Sequence, residues 1–153
     1  MKRKSSPRIK SLESDPDTSK RMAGIRQQGT SAELVVRKVA WSLGLRYRVN
    51  NRELAGSPDL ANRSKKWAVF VHGCFWHRHK GCARTTTPKR NRAFWVAKFD
   101  TNVERDRRVV ERLRRDAWTV VIVWECEALR RPKTVEGKLS KLVTERSRRK
   151  EKP

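Results

Sequence analysis

A chain of 153 residues suits one domain around one core, and here it carries 39 Lys+Arg against 16 Asp+Glu, a formal charge of +23. That surplus exceeds what solubility requires and points to a polyanionic partner, nucleic acid first, bound with release of condensed counterions. The 36% hydrophobic content includes no apolar run near the roughly 20 residues of a spanning helix, and the start MKRKSSPRIK lacks an apolar signal core, so the reading is a cytoplasmic protein with no membrane partner.

In chain order, residues 1–17 mix Lys, Arg, Ser, Pro and Asp without apolar periodicity and read as a disordered basic arm. The domain follows over residues 18–146, and residues 147–153 form a basic tail. Thr30-Ser31-Ala32-Glu33 is a capping box before Leu34, Val35, Val39, Ala40 and Leu43, with Gly44 placed to stop that helix. Leu45–Val49 and Trp67–Val71 read as strands on either side of the turn Gly56-Ser57-Pro58, with a short strand beginning at Asp59 between them. From Asn91 to about Arg115 the apolar residues recur at helical spacing, which predicts two helices bent near Thr101. Val120–Trp124 is a near-continuous apolar run, expected to be a strand buried on both faces. A last helix is expected over Thr134 to Glu145. This order gives an α/β sandwich with a mixed sheet.

Three cysteines cannot pair off completely, which fits a reducing compartment and raises metal binding instead. Cys74, His79 and Cys82 are spaced Cys-x4-His-x2-Cys, and Cys126 follows the core strand, so the four together offer a closed tetrahedral zinc site. A site with no open position would brace a loop and do no chemistry. His72 and His77 flank the loop as candidate proton shuttles, or as surface histidines beside the metal. Asp59 precedes His72 by thirteen residues, a spacing that lets neighbouring strands bring both to one end of the sheet. A hard carboxylate for magnesium plus a base for water is what phosphodiester hydrolysis needs. Glu33 serves either the capping box or that metal.

Phe75 and Trp76 sit inside the loop, where they can enter a DNA stack or pack beneath the metal ligands. Unstacking costs a few kcal/mol, least at a mismatched step. If its segment is helical, one of Phe94 and Trp95 must face the core. Trp41, Trp67, Trp118 and Trp124 fit core or half-buried positions. Arg105, Arg107, Arg108, Arg112, Arg114 and Arg115, interleaved with Glu104, Asp106 and Glu111, read partly as a solvated ion-paired face and partly as phosphate contacts.

The residues from Thr18 to Leu129 resemble the very short patch repair endonucleases. The resemblance is carried by Ser19-Lys20-Arg21-Met22, Ser57-Pro58-Asp59, Phe70 to Cys82, Thr87-Pro88-Lys89, Phe94-Trp95, Asn102-Val103-Glu104-Arg105-Asp106 and Val123-Trp124-Glu125-Cys126. It implies a three-layer restriction-endonuclease-like nuclease core, with Phe70-Val71-His72 where such cores usually carry Glu-x-Lys. It implies a nick 5′ to the thymine of a T:G mismatch left by deamination of 5-methylcytosine. Asp59 and the Val71 carbonyl would hold magnesium, His77 would activate water, and His72 and Glu33 would assist. Cys74, His79, Cys82 and Cys126 would hold zinc. Phe75, Trp76 and Trp95 would wedge beside the mismatch, with Met22 and Ile25 entering from the opposite groove.

The implied partner is double-stranded DNA with a T:G pair, bound by a monomer in the bacterial cytoplasm and nucleoid. The implied functional link is to a cytosine-5 DNA methyltransferase. Two departures from the resembled motif stand out: Val71 stands where a threonine can occur, and one extra residue lies between His79 and Cys82. Two rival functions remain, a same-fold nuclease that cuts matched sites in a restriction system, and a non-catalytic zinc module that binds nucleic acid by charge.

Overall fold

The computed structural model describes residues 29–150, with side chains placed to residue 144. Met22 and Ile25, and the basic arm of residues 1–17, lie outside the described residues.

Helix α1 spans Ser31–Ser42. The Thr30 hydroxyl accepts the Glu33 N–H at 3.2 Å, while the Glu33 carboxylate accepts the N–H of Gly29 at 2.8 Å, one residue upstream of the cap. Gly44, at φ +72°, takes the left-handed conformation that ends the helix. Ala32, Val36 and Ala40 form the buried row at i, i+4 spacing. Leu34 falls off that row and is 51% exposed, and Trp41 is 64% exposed with the Arg46 guanidinium over its ring, so neither belongs to the core as expected.

The strand expected over Leu45–Val49 does not form. Arg48 and Ala61 exchange one pair of backbone hydrogen bonds, at 2.8 and 3.0 Å. The chain then turns at Asn50, φ +55°, and the Asn62 side chain donates to the Arg46 carbonyl, so pairing stops at a single bridge.

Strands β1 (Leu60–Asn62), β2 (Trp67–His72) and β3 (Thr119–Trp124) make a mixed sheet in that order. β1 pairs antiparallel to β2, with Leu60 opposite Val69. β3 pairs parallel to β2, from Trp67 opposite Thr119 to His72 opposite Trp124. Central β2 is the strand buried on both faces; β3 lies at the edge, and among its residues only Val123 is fully buried, a correction to the sequence reading.

A four-residue turn of helix, α2 (Cys74–His77), follows β2. Helix α3 (Arg92–Arg115) is unbroken over 24 residues. The two helices expected on either side of Thr101 are one: the helix runs through this position, and the Thr101 hydroxyl donates to the Ala97 carbonyl one turn back, at 2.9 Å. Helix α4 (Glu125–Arg130), not anticipated, starts where the Glu127 carboxylate accepts the Trp124 N–H. Helix α5 spans Pro132–Lys150, longer at both ends than the expected Thr134–Glu145; proline suits a first turn, whose N–H needs no partner inside the helix.

Strand alternation sends Leu60, Trp67, Val69 and Val123 to one face, where they pack with Val36, Ala40, Ala128, Val135 and Leu139 of α1, α4 and α5. Ala61, Ala68 and Phe70 face the other way, against Leu113 of α3. Two helical layers thus enclose one sheet. No helix among the described residues is long and apolar enough to cross a membrane.

The loop before β1 is clamped onto α3 at Gly56, φ +72°, where a Cβ would lie 2.4 Å from Val109 Cγ1 and 3.2 Å from Phe70 Cε1. Gly56→Ala therefore combines backbone strain with overpacking against a stiff β-branched side chain. It should cost about 1–3 kcal/mol in denaturant unfolding.

Candidate active site and metal centre

β2 ends at His72, and the next ten residues double back over the end of the sheet. Arg78, φ +57°, and Gly81, φ +72°, supply the left-handed turns that this needs. Gly81 lies between His79 and Cys82, whose backbones meet through the Cys82 N–H and the His79 carbonyl. The Thr85 hydroxyl lies 3.2 Å from the Cys74 carbonyl and 2.7 Å from that of His79, and Arg84 pairs with Glu125 of α4 at 3.0 Å.

Cys74, His79, Cys82 and Cys126 converge, their ligand atoms all within 4.8 Å of one another. His79 Nδ1 lies 3.6 Å from the Cys74 sulfur and 3.4 Å from that of Cys126. Bond lengths of about 2.3 Å to sulfur and 2.0 Å to nitrogen place tetrahedral zinc ligands about 3.5 Å apart, so the donor set and its spacing fit that ion. Trp124 stacks on the His79 ring at 4.3 Å and 7°. Burial and the neighbouring sulfurs push the Cys74 thiol up to about 12; a divalent cation among the four would reverse this by stabilising the thiolate.

Two further groups flank the end of β2. Toward α1, Asp59 accepts the Val71 N–H at 2.6 Å. Burial, with a smaller contribution from the Glu33 carboxylate, raises Asp59 to about 6. Glu33 itself is 6% exposed and paired with Arg37 at 3.4 Å. Two neighbouring carboxylates beside a strand end make a natural cation site.

Toward α3, the rings of His72 and His77 stack at 4.0 Å, nearly parallel, and His77 Nδ1 contacts the Asp106 carboxylate. Burial and the His77 charge hold His72 down at about 4, so it is neutral at neutral pH. Burial opposes ionisation of Asp106, yet the His77 contact and the charges of His72 and Arg105 keep its carboxyl below the usual range. An imidazole oriented through Nδ1 by an ionised carboxylate has its other nitrogen available to take a proton.

Phe75 and Trp76 project from α2 into a half-buried aromatic cluster. Phe75 meets Phe99 at 5.1 Å and Trp95 at 6.0 Å, and Trp76 meets Trp95 at 6.0 Å. Of the α3 rings it is Phe99, 3% exposed, that fills the core, while Phe94 and Trp95 are both half-buried. On the outer face of α3, Arg107 and Arg108 both bind Glu104, and Arg107 also binds Glu111. That part of the arginine run is the ion-paired face expected.

A model of the family described as DNA mismatch endonuclease Vsr matches residues 13–84. A Type II nicking enzyme of Neisseria meningitidis serogroup A, V.NmeAIP, is 39% identical over 131 residues, 84% of this chain and 92% of its own length. The DNA mismatch endonuclease Vsr of Escherichia coli K12 is 37% identical over 127 residues, 83% of this chain and 81% of that protein. A Type II nicking enzyme of Haemophilus parainfluenzae, V.HpaIIP, is 36% identical over 124 residues, 81% of this chain and 88% of that enzyme. The chain belongs to the Vsr family.

In this Vsr-family chain the sequence-predicted residues gather at one end of the sheet in three groups: Asp59, Glu33 and Val71; His72 and His77; and the four metal-type ligands. Asp106 is the member that sequence reasoning passed over, as one more charge in a basic run. The signal was its phase. Phe99, Asn102, Asp106 and Leu113 lie on one inward row of α3, and Asn102 donates to the Trp76 carbonyl at 3.3 Å.

The raised Asp59 carboxyl has a sign that can be checked. Its folded pKa lies above the unfolded 3.8, so the stabilisation it gives as the neutral acid is full below pH 3.8 and lost as pH rises through about 6. Asp59→Asn, which keeps the acceptor for Val71, should remove that loss. Without added magnesium, the difference in unfolding free energy between Asp59→Asn and wild type should grow by at most about 3 kcal/mol between pH 4 and pH 8. A pH-independent difference would place the charge in solvent.

Proposed function

We propose that this protein nicks one strand of DNA 5′ to the thymine of a T:G mismatch that arises from 5-methylcytosine deamination, the first step of very short patch repair. The observation that carries this reading is the His77–Asp106 contact, with His77 stacked on a neutral His72, at the same strand end as the Asp59–Val71 contact. A half-buried base and a pair of carboxylates at one strand end are the equipment of phosphodiester hydrolysis. The layered architecture supports a restriction-endonuclease-like core, with Val71-His72 at its metal-side strand.

Asp59 and the Val71 carbonyl would hold magnesium, which supplies charge stabilisation for the phosphorane-like transition state and the leaving oxygen. His77 takes the proton of the attacking water while Asp106 stabilises the imidazolium. His72 and Glu33 position the water or the phosphate. The water oxygen bonds to phosphorus, the bond to the 3′ oxygen breaks, and that oxygen takes a proton, leaving a 5′-phosphate and a 3′-hydroxyl. Cys74, His79, Cys82 and Cys126 would hold zinc as a brace for the loop. Phe75, Trp76 and Trp95 would enter the stack at the mismatch. The enzyme would act as a monomer, in functional partnership with a cytosine-5 DNA methyltransferase.

Nicking of one duplex with T:G or C:G at the same position, with and without magnesium, tests the reaction: cleavage confined to T:G plus magnesium is expected. His77→Ala and Asp59→Ala should abolish nicking with duplex binding largely kept, and Asp106→Asn should lower kcat by about 10²–10⁴-fold. Retained nicking by Asp59→Ala would defeat the site. Cys126→Ala should lose its bound zinc by elemental analysis and unfold at lower temperature.

Two of the relatives are named for nicking without mention of a mismatch; the second reading is cleavage of matched sites, and equal rates on the two duplexes would decide for it. Tight binding without nicking of any duplex would leave a zinc-braced binding module.

A further inference from the structure

One arginine in the loop, given above only a backbone turn, has a side chain with no role yet assigned. Arg78 follows α2 as its C-cap in the left-handed region, where glycine avoids a backbone cost that arginine bears. Its half-buried side chain is fully engaged. The guanidinium lies 4.1 Å from the centroid of the Phe99 ring. Nη1 donates to the Thr86 carbonyl at 2.8 Å and reaches the Phe75 carbonyl at 3.5 Å, and Nη2 donates to the Thr87 hydroxyl at 2.9 Å. Among the described residues these partners are carbonyls, a hydroxyl and a ring, with no carboxylate, so Arg78 is not one half of a surface ion pair.

We propose that Arg78 is a positioning residue for the ring cluster, fixing Phe75, Trp76 and Trp95 in the arrangement that meets the mispaired step. The inference rests on the reading that those rings enter DNA. Three segments carry or flank the rings: α2 with Phe75 and Trp76, the connection through Thr86 and Thr87, and α3 with Trp95 and Phe99. Arg78 touches all three.

Phe99 is the hub, packed edgewise against Phe75 at 5.1 Å and tilted against Trp95 at 5.7 Å. A cation over its face adds a further hold on the hub. A planar fork that spans two carbonyls and a hydroxyl has no equivalent in lysine, which presents a single point of charge. The four metal-type ligands are held separately, through Thr85 and the Arg84–Glu125 pair. The side-chain contacts of the arginine thus run to the ring-bearing segments, while its backbone N–H meets the Cys74 carbonyl as the cap of α2.

The test uses the full-length, zinc-loaded protein and its Arg78→Met and Arg78→Lys variants. The probe is a duplex with 2-aminopurine beside a T:G pair, whose fluorescence rises when the neighbouring step unstacks. In Arg78→Met the binding preference for T:G over C:G should fall about tenfold, from the loss of the ring contact and the hydrogen bonds. The fluorescence rise should shrink with it, and Arg78→Lys should lie between Met and wild type, all with zinc content and melting temperature held.

A wild-type rise and wild-type preference in both variants would overturn the proposal. So would losses that appear only in step with lost zinc or a lowered melting temperature, since these would make Arg78 a brace of the fold alone. A wild-type protein that gives no rise would instead overturn the wedge itself, and the arginine's role with it.

Discussion

The register of β2 against β3 is the constraint from which the rest of this end of the molecule follows. His72 lies opposite Trp124, and each strand gives way at once to a helical turn, α2 after one and α4 after the other. Cys74 and Cys126 are each two residues beyond that last pair, so parallel pairing alone brings them side by side. A slip of one residue would move one cysteine by about 3.3 Å and turn every side chain of the strand to the opposite face. The hydrophobic alternation that locks the register, Val69 and Val123 to one core and Phe70 to the other, therefore also assembles the sulfurs.

The same alternation sorts the ionisable groups. Val71 and His72 are neighbours in sequence, but one belongs to the face toward α1 and the other to the face toward α3. The carboxylates Asp59 and Glu33 collect on the first side, and the imidazoles with Asp106 on the second. Had all five shared one side, the imidazoles would have neutralised the carboxylates, and a hard cation would have had to compete with protonated histidine. Separated by the strand end, Asp59 stays poised to ionise near neutral pH and His72 stays uncharged.

Much of this was legible in the sequence because the informative residues act locally. The Thr30 cap, the Gly44 stop and the Cys-x4-His-x2-Cys spacing each state a geometry within a turn or two of chain, and each is present. What failed depended on distant partners. Leu45–Val49 has strand composition, yet the chain opposite offers it one bridge before turning away. Trp41 has the composition of a core residue but falls outside the row that α1 buries. The apolar residues on either side of Thr101 keep helical spacing, and the segment read as two helices is one continuous helix. Asp106 was hidden by its neighbours: in a run of arginines an acid looks like a surface counter-charge, and only helical phase distinguishes the one that points inward.

The unbroken course of α3 has a mechanical consequence. Trp95, Phe99, Asn102 and Asp106 ride on a single rod, and from Trp95 to Asp106 the separation along its axis is about 16 Å at 1.5 Å per residue. With the helix continuous from Arg92 to Arg115, no loop or break separates the aromatic end from the carboxylate that touches His77. The rod is clamped at one flank by the Gly56 loop and anchored by Leu113 in the core. The ring cluster and the partner of the base thus share their degrees of freedom, and neither can tilt against the sheet without carrying the other along.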